Sequence, residues 1–504
     1  MGVAEPVIVP GKAVVIASLG LLICASSCAG AVSPGPPGAV PVNVPAGVAA
    51  RGYVDHVVVI VQENRTFDDI FGGYPGGPTP FAGADSTISG PIVNDLRQAG
   101  FDTAVPDNGQ DPFRCLQVHN FDAPTWEALV NGAWPTAPPG GPAPCPTSAP
   151  ASNPDTPFRP DRDALTIIRQ SDRLGYWGIA RAYELGDEFF AVQSSNSFPG
   201  HQYIVALNSQ NDLAQQIDDV PSPSPSPGAA SAPPPNCGST VPVDSVATPV
   251  LDLVTGFTDW QLEGETGICW SGVTFADRLN ARGVSWRHYS TDSTTGVFDG
   301  FINFRAWYPL TKIVPGSPFR IARTDLETDI RGNDLPQFTW VKPPCIYFSD
   351  HPGTSQSPVG GQDWVSSVID WIGENPTLWP HTVIFVVWDD WGGFYDHVTP
   401  PSAMPGTITP GMREPFLVIS PYNRANGTVI HSTATYASVL KFVEDLYGMQ
   451  PLNQLDANAP DLAPYFDFRP SNSAFRPVLP INPSFNAPRD CAVNPGIPAN
   501  QVDR

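Results

Sequence analysis

Carboxylate and amide side chains follow directly after two long apolar runs of this sequence. Glu63 and Asn64 come after the first run, and Asp389 and Asp390 come after the second. Oxygen donors of these types are the ligands that hard divalent cations prefer. A cation held in this way can take up the negative charge of a phosphate ester during its hydrolysis. The residue types therefore predict a site for a divalent metal ion, whose identity the sequence does not define.

The two apolar runs cover residues 57–62 and 382–388 and are rich in β-branched side chains. Apolar runs of this length are typical of strands that are buried on both faces of an α/β sheet. Ligands of open α/β sheets bind at the carboxyl ends of the strands. Glu63 and Asp389 are therefore expected at one edge of the sheet, where together they can hold one cation.

Helical and strand-like patterns alternate along much of the chain, which is the order expected of an α/β domain with a mostly parallel sheet. Gly186, Gly283 and Gly448 are expected to end the helices that precede them. The 60 Pro and 45 Gly residues predict long irregular loops between the elements. We predict helices over residues 176–186, 199–207, 274–283, 363–372 and 437–447, and strands over residues 284–289, 338–341 and 416–420.

The chain of 504 residues has a formal net charge of −23. Nucleic acid and anionic membrane surfaces repel a protein this acidic, so we expect no nucleic-acid partner. A phosphate-bearing substrate must then be attracted locally, by a metal ion or by a few Arg and His side chains.

Residues 1–31 have the features of an export signal. Lys12 precedes an apolar segment over residues 13–23, which is too short to span a membrane and leads into small residues up to Ala31. The sequence before Cys28 also permits lipid attachment there, so secretion and lipid anchoring at the cell surface both stay open. No other run is long enough for a transmembrane helix.

The rest of the chain divides by composition. Residues 32–50 form a spacer rich in Pro, Gly and Ala, and residues 51–450 form the main domain. Pro-rich insertions interrupt this domain near residues 135–160 and 220–237, and we expect residues 451–504 to wrap its surface irregularly.

The cysteine count fits an exported protein. An even number of cysteines in such a protein predicts a set of disulfides. We pair the first two across one Pro-rich loop and the next two across another, which leaves the last two to fix the C-terminal tail. Removal of the signal with Cys24 and Cys28 leaves Cys115, Cys145, Cys237, Cys269, Cys345 and Cys491 in that order.

Ser197 precedes Pro199, which suits the first turn of a helix. The backbone N–H groups and the dipole at a helix N-terminus favour an anion there, so Ser197 is well placed to meet a phosphate group. The alternative is that Ser197 only caps the helix, which is a common role of Ser in this position.

Two segments of the chain also resemble the signature segments of a known family. Residues 63–68 read Glu-Asn-Arg-Thr-Phe-Asp, and residues 388–398 read Trp-Asp-Asp-Trp-Gly-Gly-Phe-Tyr-Asp-His-Val. Both look like motifs of the phosphoesterase family, which holds bacterial phospholipases C and related acid phosphatases. The resemblance runs in order from residue 53 to residue 448. It implies an α/β/α sandwich like that of alkaline phosphatases and an enzyme that hydrolyses phosphoric esters.

The resemblance also implies roles for individual residues. It assigns Glu63, Asn64, Asp389 and Asp390 to the metal site. Ser197 matches the position of the family's nucleophile, from which a covalent phosphoserine intermediate is expected.

Histidine and arginine side chains complete the expected site. His351 resembles the family's active-site histidine, which can hold a phosphoryl oxygen or protonate the leaving group. Weaker candidates for substrate binding are His201, His288 and Arg65. Arg65 can equally pair with a nearby carboxylate, at Asp68 or Asp69.

Several positions depart from the family's pattern. Trp391 stands where many relatives have His, Gly200 replaces an Asn, and Tyr436 stands at the His of a common Asp-His pair. The substrate therefore stays open between a phospholipid head group and a small phosphomonoester. The alternative function is a non-catalytic surface protein that keeps the fold and binds a phosphorylated or sugar ligand.

Overall fold

The computed structural model of the protein describes nearly half of the chain, which is built around one central sheet. The predicted signal, most of the spacer, both Pro-rich insertions and four of the six remaining cysteines lie outside the described residues. The described residues are 44–76, 168, 173–192, 197–208, 247–251, 258–262, 272–290, 316–350, 359–391, 396, 398, 400–401, 403–407, 410–469, 474–478, 486–487 and 490–491.

An eight-stranded sheet forms the centre of the domain. Its strands are β1 (His56–Gln62), β2 (Glu184–Gly186), β6 (Trp286–Ser290), β7 (Phe319–Ile321), β8 (Phe338–Val341), β9 (Thr382–Trp388), β10 (Phe416–Ile419) and β11 (Thr428–Ile430). They lie side by side in the order β11-β2-β10-β9-β1-β8-β6-β7. Strand β10 is antiparallel to both of its neighbours, and every other pair in this sheet is parallel. The prediction of a mostly parallel α/β sheet is therefore confirmed.

Two small strand pairs lie outside this sheet. Strand β3 (Phe189–Phe190) pairs in parallel with β12 (Ala434–Thr435), and β4 (Ala247–Leu251) pairs antiparallel with β5 (Thr258–Leu262).

Apolar side chains on both faces of the sheet are buried under helices. Val57 and Val59 of β1 belong to one hydrophobic cluster with residues of α1, α4, α5 and α8, whereas Val58 and Ile60 belong to a second cluster with residues of α3, α6 and α7. The fold is therefore an α/β/α sandwich, and the alternation along β1 follows from the two-residue period of a strand. The helices are α1 (Ala46–Ala49), α2 (Phe67–Phe71), α3 (Leu174–Ala182), α4 (Ser197–Ala206), α5 (Phe275–Arg282), α6 (Ala322–Arg331), α7 (Val359–Gly373), α8 (Tyr436–Tyr447) and α9 (Gln454–Asn458).

Local sequence signals explain where several helices begin and end. Thr274 and Asp277 form a capping box at the start of α5. Gly283 and Gly448 follow α5 and α8 with φ angles of 76° and 67°, as predicted from their positions.

The predicted end of a helix at Gly186 is wrong. Helix α3 ends at Ala182, and Gly186 closes strand β2, where it pairs with Phe416 of β10. A Cβ atom at Gly186 would lie 2.3 Å from the Tyr465 hydroxyl. The glycine is thus required by close packing against Tyr465 and does not end a helix.

Of the three predicted disulfides, the one between Cys345 and Cys491 is present, with the two Cα atoms 5.9 Å apart. The predicted bonds Cys115–Cys145 and Cys237–Cys269 lie outside the described residues. In the part of the chain that the structure describes, no helix is both long enough and apolar enough to cross a membrane.

Candidate active site

The two acid-bearing segments meet because their strands are neighbours. Strands β1 and β9 pair in parallel along their whole length, with Gln62 opposite Trp388. Beyond the last pair, the Asp389 N–H donates to the Gln62 carbonyl (3.1 Å), and the Asn64 N–H donates to Asp389 Oδ1 (3.0 Å). Glu63 and Asp389 are therefore the first residues past two adjacent strand ends, at the same edge of the sheet.

Asn64 turns the chain sharply at this edge. Its φ angle is 58°, in the left-handed region that Asn tolerates better than most residues with a side chain. This turn follows directly on β1, and it aims the Asn64 N–H at the Asp389 carboxylate. The sequence analysis predicted the Asn64 side-chain amide as a metal ligand. It did not predict that the backbone at this position adopts the left-handed conformation.

A buried lysine joins the carboxylates to an imidazole. Lys342 follows β8, the strand on the other side of β1, and its Nζ lies 3.2 Å from Glu63 Oε1. The same Nζ contacts His201 Nε2. His201 Nδ1 lies 3.6 Å from Asp389 Oδ2, so Glu63, Lys342, His201 and Asp389 form one continuous polar row.

Helix α4 brings His201 to this row because Gly200 lets the helix approach β9 closely. A Cβ atom at Gly200 would lie 2.3 Å from the Asp389 carbonyl oxygen. Ser197 is the first residue of this ten-residue helix, as predicted. The side chains of residues 197–199 lie outside what the structure describes, so the nucleophilic role of Ser197 stays a prediction.

Asp390 lies beside a second buried acid that the sequence analysis missed. Glu414 precedes β10 and is 2% exposed, and its Oε1 has no hydrogen-bond partner among the described residues. Burial raises the pKa of Glu414 well above its ordinary value, and the nearby Asp390 raises it further. Both effects favour the protonated form of Glu414 over the carboxylate.

Arg65 forms an ion pair with a carboxylate, which the sequence analysis gave as the alternative to phosphate binding. Its Nη1 donates to Asp69 Oδ2 (2.8 Å), and its Nε donates to the Asp350 carbonyl (2.9 Å). The guanidinium is fully buried. These contacts give Arg65 a structural role, and contact with a substrate stays a prediction.

Asp350, the neighbour of the predicted catalytic His351, is held by both motif strands. Its Oδ2 accepts hydrogen bonds from the Tyr176 hydroxyl (2.5 Å) and from Trp388 Nε1 (3.1 Å), and its N–H donates to Gln62 Oε1 (3.1 Å). Burial raises the pKa of Asp350 to about 7 against the opposing effect of the Tyr176 hydrogen bond. His351 itself lies outside the described residues.

His288 is a neutral, buried side chain beside the polar row. It lies in β6 and packs against Phe319 and Trp340, with ring centroids 5.8 and 6.2 Å away. Burial lowers its pKa to about 3, and the positive charge of Lys342 contributes to that decrease. His288 is therefore uncharged at neutral pH, and its contact with a substrate stays a prediction.

A buried arginine ties the two motif segments together. Arg413 Nη2 donates to Asp68 Oδ1 (3.0 Å), and its Nε donates to Asp396 Oδ1 (3.0 Å). Asp68 belongs to the first motif and Asp396 to the second. The guanidinium also lies over the Phe67 ring, 4.2 Å from its centroid.

One of the missed residues shares a signal with the predicted ones. Lys342 directly follows the apolar strand β8, as Glu63 and Asp389 follow β1 and β9. Applying the strand-end rule to β8 would have found this lysine. Glu414 and Arg413 precede their strand, so the same rule does not reach them.

The donor set fits a hard divalent cation in chemical type, since it consists of carboxylate and amide oxygens. The positions of the donors differ from those of a formed metal site: within the described ranges, no group of three or more His, Cys, Asp or Glu side chains is placed to hold a metal ion. Other interactions of the carboxylates account for these positions. Lys342 forms an ion pair with Glu63, and the Asn64 N–H donates a hydrogen bond to Asp389. A bound cation would have to replace Lys342 at Glu63.

An α/β/α sandwich whose acidic strand ends converge beside a helix N-terminus is an architecture suited to binding cations and anions together. Comparison with known sequences defines the family. The sequence model of the Phosphoesterase family matches residues 54–450. The chain belongs to this family, and the resemblance seen in the two motifs is confirmed.

Curated relatives carry the names of phospholipases. The chain is 26% identical to "Non-hemolytic phospholipase C" of Pseudomonas aeruginosa, over 85% of this chain and 59% of that protein. It is 25% identical to "Phospholipase C B" of Mycobacterium tuberculosis, over 86% of this chain and 81% of that protein. The chain thus spans somewhat more than half the length of the first of these relatives. A solved structure of a protein in the alkaline phosphatase superfamily from Vibrio parahaemolyticus aligns with a TM-score of 0.33 at 11% identity, covering 83% of this chain and 73% of that one.

Proposed function

We propose that the protein is an exported hydrolase of phosphoric esters, with Ser197 as its nucleophile and a divalent metal ion as its cofactor. The observation that carries the proposal is the junction of the two motifs, where the Asn64 N–H bonds Asp389 Oδ1 at 3.0 Å beside Glu63. Membership of the Phosphoesterase family supports the reaction class. The phospholipase C names of the relatives support a phospholipid head group as substrate, with a small phosphomonoester as the other candidate.

The proposed reaction has two steps. The Ser197 hydroxyl releases its proton to solvent and its oxygen attacks phosphorus, the bond from phosphorus to the leaving oxygen breaks, and His351 gives that oxygen its proton. Water then attacks the phosphoserine: its hydroxyl joins phosphorus, one of its protons restores the Ser197 hydroxyl, and His351 regains a proton from solvent. The product released is a phosphomonoester from a diester substrate, or inorganic phosphate from a monoester. The position of Ser197 at the start of α4 supports this role, because backbone N–H groups there stabilise phosphoryl oxygens.

Glu63, Asn64, Asp389 and Asp390 would hold the metal ion. When bound, the ion would supply positive charge to the phosphoryl oxygens and lower the pKa of a nearby hydroxyl. His201 contacts both Lys342 and Asp389, and these contacts would fix the position of α4 relative to the end of β9. The disulfide between Cys345 and Cys491 supports export, since such bonds persist in oxidising compartments.

A second candidate function is ligand binding without turnover by a surface protein that keeps the fold. Trp391 favours it, because this residue is 3% exposed and places an apolar ring where the family resemblance implies an imidazole. A protein with this second function would still carry the carboxylates at the carboxyl ends of β1 and β9. The second function therefore predicts cation binding but no hydrolysis.

Turnover assays separate the two functions. We expect metal-loaded protein to hydrolyse a chromogenic phosphate monoester or a phosphorylcholine diester, and chelation to abolish this activity. Ser197→Ala should reduce turnover by about a hundredfold or more, whereas Ser195→Ala, two residues away, should leave it unchanged. The absence of turnover of either ester would favour the binding function. Equal turnover in Ser197→Ala and wild type would remove only the nucleophile assignment.

A further inference from the structure

Lys342 occupies an unusual position for a lysine. It follows β8 at the carboxyl edge of the sheet, and its side chain is 4% exposed. Its backbone N–H continues the sheet by donating to the Tyr289 carbonyl of β6 (2.8 Å). Burial of an ammonium group is unfavourable unless polar partners compensate for its lost hydration.

The partners of Lys342 are residues of the candidate site. The Nζ atom pairs with Glu63 Oε1 at 3.2 Å and contacts His201 Nε2. The described arginines near the motifs have other partners: Arg65 bonds Asp69, and Arg413 bonds Asp68 and Asp396. Lys342 is therefore a buried cation in direct contact with two side chains of the candidate site, Glu63 and His201.

Charge balance shows why an additional cation matters. Glu63, Asp389 and Asp390 together exceed the charge of a divalent cation by one negative unit. A phosphate dianion would then enter a site that is already negative. The Lys342 ammonium neutralises the excess, whereas the neighbouring His288 is neutral and cannot do so.

We propose that Lys342 is a phosphoryl-binding residue, whose ammonium leaves Glu63 to donate hydrogen bonds to an unesterified oxygen of the bound phosphate group. The ammonium has three N–H donors and a flexible side chain, so it can bind the Glu63 carboxylate first and a phosphate oxygen afterwards. A cation bound at Glu63 would repel the Lys342 ammonium, which would then be available to the phosphate group. This inference deepens the proposed function and takes its ligand class from it.

The test measures binding of inorganic phosphate to chelator-treated protein by isothermal titration calorimetry. Glu63→Gln removes the anion that neutralises Lys342, so this variant should bind phosphate about tenfold more tightly than wild type. The double variant Glu63→Gln with Lys342→Met should lose this gain. Lys441→Met provides the matched control, because Lys441 pairs with Asp445 on α8, away from the site, and should bind phosphate as wild type does.

The double variant also protects the test from misfolding, because it removes both members of the buried ion pair and leaves neither charge of that pair without the other. Circular dichroism and thermal unfolding should show a folded protein. Equal phosphate affinity in the single and double variants, or no gain in Glu63→Gln, would overturn the role of Lys342.

Ester turnover distinguishes this inference from the proposed function. If wild type hydrolyses esters but phosphate affinity does not depend on Lys342, the inference fails and the function stands. If no ester is hydrolysed but the Lys342-dependent gain is present, the function fails and Lys342 is an anion-binding residue of a non-catalytic protein.

Discussion

At the scale of single residues, the site at the ends of β1 and β9 depends on backbone conformation as much as on side-chain type. Asn64 shows both contributions, since its left-handed φ angle of 58° directs its N–H to Asp389 while its amide is assigned to the metal. Two substitutions separate the contributions. Gly accepts the left-handed conformation without strain, whereas Ala does not, and neither carries an amide.

We expect Asn64→Gly to retain its free energy of unfolding within about 1 kcal/mol of wild type in chelated protein. Asn64→Ala should be less stable than Asn64→Gly by about 1–2 kcal/mol. Urea unfolding at neutral pH measures both differences. A divalent cation should raise the Tm of wild type, and both variants should lack this increase. An alanine variant as stable as the glycine variant would mean that the turn carries no strain.

At the scale of elements, the packing of α4 on β9 depends on a glycine. A Cβ atom at Gly200 would approach the Asp389 carbonyl oxygen to 2.3 Å, so a side chain there must push the helix away. Gly178 in α3 offers a matched comparison, because a Cβ atom at that position has nothing within 4 Å.

We predict that Gly200→Ala lowers the free energy of unfolding by roughly 1–3 kcal/mol, as overpacking does elsewhere. Gly178→Ala should instead raise it by about 0.5–1 kcal/mol, because Ala favours a helix over Gly. Thermal and urea unfolding of the two variants give the comparison. A Gly200→Ala variant with unchanged stability would show that α4 can shift without cost.

The link between the motif segments is an element-scale feature as well. Arg413→Met would leave Asp68 and Asp396 buried without their cation, and we expect a loss of roughly 3–5 kcal/mol in the free energy of unfolding. Arg331→Met, which removes an exposed pair with Glu327, should cost at most about 0.5 kcal/mol. Equal losses in the two variants, measured by urea unfolding, would contradict a special role for Arg413.

The strands that carry the site were predictable because they are local apolar runs. The bounds of β8 and β9 follow from composition alone, and Gly283 and Gly448 end their helices as expected. Gly186 misled the prediction because its reason is a distant ring, that of Tyr465. Contacts such as Arg413 with Asp68 or Lys342 with Glu63 join residues hundreds of positions apart, and no local pattern specifies them.

At the scale of the whole molecule, buried acids make stability depend on pH. Glu444 of α8 lies beside Asp456 of α9, and the Leu452 N–H donates to Glu444 Oε1 (3.0 Å) and to Asp456 Oδ2 (2.7 Å). Burial, followed by the interaction with Asp456, raises the pKa of Glu444 from 4.5 to about 10. Between these values the folded protein holds a proton that the unfolded chain releases.

Stability should therefore fall as the pH rises through this window. Between pH 5 and pH 9, we expect wild type to lose at least about 1 kcal/mol more free energy of unfolding than Glu444→Gln, whose amide is neutral throughout. Glu327→Gln, a change at an exposed glutamate, should follow wild type. Urea unfolding at the two pH values measures the difference, and parallel losses in wild type and Glu444→Gln would exclude a buried proton at Glu444.

The bond between Cys345 and Cys491 spans 146 residues that include the central strands β9 and β10. A protease that cuts the chain once anywhere in this span cannot release a fragment, because the two pieces stay covalently joined. On a denaturing gel such a nicked molecule would migrate as an intact chain until a reductant separates it. An apparently whole band from culture medium is therefore no proof of an uncut protein.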